Sequence, residues 1–181
     1  MSSTATRAMA RWTAVDLITV ALLGVVWRVL WYFSRSIQFA FPWNHALGGG
    51  FFMILPLAVA IALIRKPGVA TLFYASWMLF NLAFQGEAPL SLLVFLPIGL
   101  VPDLYLWFKR DSMDKTSTVV IACLLCGLTF GILLYPMYVY YFLLPVSVSV
   151  WAAVVAIALV TTTVAAVIGA QFARRVRPLL R

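Results

Sequence analysis

Arg28, Asn81, Gln85, Glu87 and Asp103 are polar residues set inside or at the rim of long apolar runs. In such a setting a polar group is retained where it pairs, binds a ligand or carries charge. An arginine within a membrane helix costs roughly 2.5 kcal/mol or more unless it reaches the headgroups or finds a partner. Arg28 therefore either snorkels outward or faces the bundle interior, where it would hold a carboxylate or a ligand's polar group. Asn81 and Gln85 lie four apart and share a helical face. With Glu87 beside them they would offer amide donors and acceptors and a carboxylate to a molecule arriving from outside. Asp103 stands in Leu100-Val101-Pro102-Asp103-Leu104. It is either a carboxylate at the inner boundary or part of a polar cavity opened where Pro97 and Pro102 bend the helix. Trp27, Trp31, Trp43 and Tyr138 supply flat faces that fit a headgroup-level aromatic belt or the walls of a pocket for a flat heterocycle.

Other chemistry is weakly supported. Cys123 and Cys126 form a Cys-x-x-Cys, which could exchange thiols or work with a quinone. Their apolar surroundings and the absence of a second cysteine pair favour inert buried thiols. A metal site is not expected, because His45 is the single histidine and is distant in sequence from both cysteines. There is no Gly-x-Ser-x-Gly, no His-Glu-x-x-His and no phosphate-binding glycine loop. No catalytic residues are assigned, and an enzyme is not the expected class.

The elements that would position these residues follow from composition. Hydrophobic residues make up 65% of the 181 and charged residues 10%, a balance that would leave a soluble globule with large exposed apolar patches. A bilayer core needs about 20 helical residues, and six stretches qualify, near 13–33, 46–64, 69–86, 90–108, 117–135 and 147–173. The first reads as a retained helix and not as a cleaved signal, since it lacks a small-residue cleavage site. The runs are continuous and not alternating, which excludes a β-barrel.

Of the thirteen basic residues, all but Arg28 and Arg35 fall before the first helix or after the second, fourth and sixth. The positive-inside rule then puts both termini in the cytoplasm. The net charge of +8 reads as topology and lipid contact, not as a nucleic-acid surface. The expected architecture is a single all-α domain, 1–181, a six-helix bundle crossing the plasma membrane several times. Its connections are too short to hold a soluble domain. Gly48, Gly49 and Gly50 would make the outer part of the second helix adjustable beneath a lid formed by 34–45. Small residues four apart at Ala58/Ala62 and Ala165/Gly169/Ala173 predict close helix packing, and Ala10/Ala14 offers either the same or a docking face for another subunit.

Six helices with both ends inside, about 180 residues, no ATPase and Ala10-x-x-x-Ala14 on the first helix resemble the substrate-binding S components of energy-coupling-factor (ECF) vitamin transporters. Ile64-Arg65-Lys66-Pro67-Gly68, followed by Asp103 after Ile98-Gly99-Leu100, is similar to the YkoE-type branch associated with thiamin and its hydroxymethylpyrimidine precursor. The sequence departs from that branch at Asn81, where the branch carries a membrane glutamate. The resemblance implies an outward-facing pocket for a vitamin-like small molecule, a transmembrane T subunit as partner, and two cytosolic ATPases that use ATP in place of any cofactor here. A membrane thiol/quinone oxidoreductase and a structural subunit without a ligand are the competing classes.

Overall fold

The computed structural model describes residues 12–36, 45–85, 90–141, 143 and 145–180. Six helices form the bundle: α1 (Ala14–Ser36), α2 (Ile54–Ile64), α3 (Val69–Gln85), α4 (Leu90–Phe108), α5 (Thr116–Pro136) and α6 (Val148–Val176). No strand occurs among the described residues. Three helical spans are long and apolar enough to cross a bilayer: Ala14–Trp31, Thr116–Pro136 and Val148–Leu179. Gly50–Ile64, Val69–Ala83 and Phe95–Phe108 are shorter apolar helices. Large apolar side chains such as Val15, Ile18, Leu22 and Val29 stand exposed along α1, the surface of a membrane protein and not of a soluble one.

The second predicted helix is divided. His45–Met53 winds as a π-helix before α2 begins at Ile54, an uncommon geometry in which i→i+5 bonds widen the backbone. The glycines fall in this stretch. At Gly50 an added Cβ would lie 2.8 Å from the Ala158 carbonyl oxygen of α6, and the Thr162 hydroxyl donates to the Gly50 carbonyl at 3.3 Å. Only glycine permits so close an approach. Farther along, α2 and α6 pack through the predicted small-residue ladders: Ala58, Ala165, Gly169 and Ala173 are buried. A Cβ on Gly169 would come within 2.8 Å of the Ala58 Cβ.

The basic clusters gather at one end. Thr13 and Asp16 form a reciprocal cap on α1, Thr13 N–H donating to the Asp16 carboxylate at 2.8 Å and Asp16 N–H to the Thr13 hydroxyl at 3.2 Å. The same carboxylate pairs with Lys66 in the α2–α3 turn at 2.6 Å. That turn is shaped by Arg65, which ends α2 in the left-handed region at φ 55°, and by Gly68 at φ 96°. On the other side Arg174, near the end of α6, donates to the Asp114 carbonyl in the α4–α5 turn at 2.7 Å. The beginning of α1 and the end of α6 thus share the cationic end, as the spacing predicts.

Candidate functional site

Toward the opposite end, α1, α3, α4 and α5 enclose a layer of aromatic rings. Phe73, Trp77 and Asn81 recur every four residues on α3, hence on one face. Gly24 lets α1 lie close against that helix, since a Cβ there would meet the Phe73 carbonyl oxygen and the Ser76 Cβ at 3.4 Å. Trp27 then reaches Trp77 with ring centroids 4.4 Å apart, and Trp77 meets Phe95 of α4 at 4.3 Å in an edge-on arrangement. Tyr74 and Phe130 extend the layer, each packing on Phe95 at 6.4 Å and 6.1 Å.

The layer is buried yet contains unused polarity. Asn81 is 2% exposed, Trp27 2% and Trp77 6%. The Asn81 amide nitrogen and oxygen and the indole N–H groups of Trp27 and Trp77 have no hydrogen-bond partner among the described residues. A buried polar atom left unpaired costs about 1–3 kcal/mol, and native proteins retain few of them. Trp151 on α6 shows the ordinary solution, its indole N–H donating to the Gly131 carbonyl at 2.9 Å. Arg28, beside Trp27 on α1, is 6% exposed. Its side chain is thus buried within the protein.

Asp103 is elsewhere. Its two carboxylate oxygens accept the backbone N–H groups of Ala70 at 3.1 Å and Thr71 at 2.7 Å, so it caps the start of α3 from α4. The need arises because Gly68, whose carbonyl accepts the first intrahelical bond from Leu72, has no side chain with which to cap. Gly99, one turn before Asp103, allows the approach: a Cβ there would lie 2.7 Å from the Thr71 Cα. Helix α4 runs unbroken through Pro97 and Pro102. The carboxylate is taken up by the α3 terminus at the cationic end, some ten residues of helix, about 15 Å, from Asn81. It is not brought together with the aromatic layer.

Of the other predicted site residues, Trp31 is half-buried one turn beyond Trp27. Gln85 closes α3, and Tyr138 lies in the π-helical Met137–Tyr141 that follows α5. Trp43, Glu87 and Ala10 lie outside the described residues, as does the greater part of the proposed lid 34–45. Ala14 is exposed at the first turn of α1. Tyr74, Trp77 and Phe95 were not singled out by sequence, although the four-residue spacing from Phe73 through Trp77 and Asn81 to Gln85 was there to be read.

Cys123 and Cys126 are fully buried free thiols, and the Cys126 sulfur lies 2.9 Å from the Tyr74 hydroxyl. A cavity of about 20 Å³ adjoins this pair, lined by Gly50, Met53, Tyr74, Phe130 and Thr162 among others, room for about one water. Thiol exchange requires access to a thiolate, and neither sulfur has it. No three His, Cys, Asp or Glu side chains converge as metal ligands among the described residues.

No protein-family model matches the sequence, and no curated protein does. A solved structure does match: the crystal structure of an S-component of an ECF transporter aligns with a TM-score of 0.63, covering 94% of this chain and 86% of that one, at 16% sequence identity. The six-helix arrangement described above is thus similar in fold to that of an ECF transporter S component.

Proposed function

We propose that this chain is the substrate-binding subunit of an ECF-type importer in the plasma membrane, capturing a small vitamin-like molecule from outside. It would release its cargo through a partner T subunit driven by two separate cytosolic ATPases, and would carry out no reaction of its own. The shared fold supports the class, and one observation carries the binding role: an aromatic layer in which Asn81, Trp27 and Trp77 keep buried polar atoms without partners among the described residues. Aromatic walls with a few convergent polar groups are what a small-molecule site requires. With the cationic end in the cytoplasm by the positive-inside rule, that layer lies toward the outer face. Thiamin and its hydroxymethylpyrimidine precursor are the first candidates, and Ala14 with Ala10 is the candidate docking edge for the T subunit.

The test is to purify the chain in detergent, identify any co-purified small molecule by mass spectrometry, and titrate the two candidates by tryptophan fluorescence. Saturable quenching with 1:1 stoichiometry is expected. A flat response to both candidates, with no small molecule carried through purification, contradicts the proposal.

A further inference from the structure

Helix α6 has two faces of opposite character. Ala165, Gly169 and Ala173 are buried in the bundle, whereas Val160, Val164, Ile168 and Phe172 recur every four residues and stand exposed. At about 100° per helical residue, Arg175 falls within the arc that these four apolar side chains span, and it is exposed as well. From Val160 to Phe172 the helix rises about 18 Å, a little more than half of a hydrocarbon core of roughly 30 Å. An apolar track of that length, with a cation at its headgroup end, matches one leaflet. The neighbouring turn adds to the charge. Arg174 donates to the Asp114 carbonyl at 2.7 Å, which brings Lys115, exposed just before α5, to the end of α6. Segments 109–115 and 174–177 together hold six basic residues against Asp111 and Asp114.

We infer that this corner binds an anionic phospholipid of the inner leaflet, its phosphate at Lys115 and Arg175 and an acyl chain along Phe172, Ile168 and Val164. Long basic side chains at a helix end reach the headgroup level while their stems lie on apolar surface, and clustered cations beside a membrane helix favour anionic headgroups. The apolar track beneath them selects a lipid over a free phosphate. It also selects a lipid over a partner helix, because close helix association in a membrane uses small residues. Those of α6 are already taken by α2, where a Cβ on Gly169 would come within 2.8 Å of the Ala58 Cβ; the outer track is built of valine, isoleucine and phenylalanine.

The test offers the purified full chain, in a neutral detergent, equal amounts of anionic phosphatidylglycerol and zwitterionic phosphatidylcholine, and counts the lipid retained by native mass spectrometry. One phosphatidylglycerol should be retained in preference to phosphatidylcholine by about five-fold or more. Lys115→Gln combined with Arg175→Gln should remove most of that preference, whereas Arg175→Lys, which keeps the charge, should preserve it. Ile168→Asn, which makes the middle of the track polar, should lower the amount of phosphatidylglycerol retained. Equal retention of the two lipids overturns the inference. Displacement of the lipid by glycerol 3-phosphate, which carries the phosphate without the chains, also overturns it, since the cations would then hold a free anion. Lys109→Gln with Arg110→Gln removes the same charge from the end of α4; if it abolishes the preference as fully as the change at Lys115 and Arg175, lipid retention follows overall charge and the assigned corner is wrong.

Discussion

The α2–α6 seam and the α1–α3–α4 layer are both buried, and they are built on opposite principles. The seam uses the smallest side chains: at Gly169 and Gly50 the opposing helix leaves no room for a Cβ, and the Gly50 carbonyl is met by the Thr162 hydroxyl. The layer uses the largest, Trp27, Trp77 and Phe95, and leaves the two indole N–H groups and the Asn81 amide without partners among the described residues. In lipid, where packing and not hydrophobic exclusion holds helices together, the first design yields a rigid joint. The second carries an unmet demand for partners, which in a binding protein is the ligand's to supply.

Changes to the seam should do the most damage to the fold. Gly169→Leu forces a side chain against the Ala58 Cβ and the Leu55 carbonyl and should cost about 3 kcal/mol or more, visible as a drop in the thermal midpoint in detergent. Asp103→Ala comes next, because it strips two α3 N–H groups of their acceptor; about 1–3 kcal/mol is expected, with ligand affinity unaltered in the folded fraction. Gly99→Ala should act through the same contact, since it pushes α3 away from the carboxylate. In the layer the outcome reverses. Asn81→Ala breaks no hydrogen bond among the described residues, so stability should change by no more than about 0.5 kcal/mol or rise, while binding suffers. Smallest of all, replacing Cys123 and Cys126 together by serine should leave binding intact, whereas loss of function would revive the thiol chemistry.

The same contrast explains what could be read in advance. A bilayer obliges each crossing to be a continuous apolar helix, so helix number and the common end of the basic clusters follow from one-dimensional pattern. The seam was legible because small residues four apart mean the same thing in any membrane helix. Arg28 and Asn81 announced themselves as polar residues in apolar runs. Trp77 did not, for a tryptophan in a membrane helix is ordinary, and only the packed structure shows that its N–H is buried without a partner among the described residues. Asp103 was visible, but its task was not: a cap donated from one helix to another is a tertiary contact, and the clue lay in what Gly68 lacks. The π-helical winding of His45–Met53, where Gly50 meets α6, likewise has no local periodicity to betray it.

The central claim is that the aromatic layer, and not another part of the bundle, receives the ligand. Trp77 and Trp151 are both 6% exposed, but only Trp151 has its indole N–H engaged by a backbone carbonyl. Quenching by hydroxymethylpyrimidine should therefore be compared in Trp77→Phe and Trp151→Phe. The account requires that Trp77→Phe lose most of the quenching and at least ten-fold in affinity while Trp151→Phe retains both; the reverse pattern would place the ligand elsewhere and contradict it.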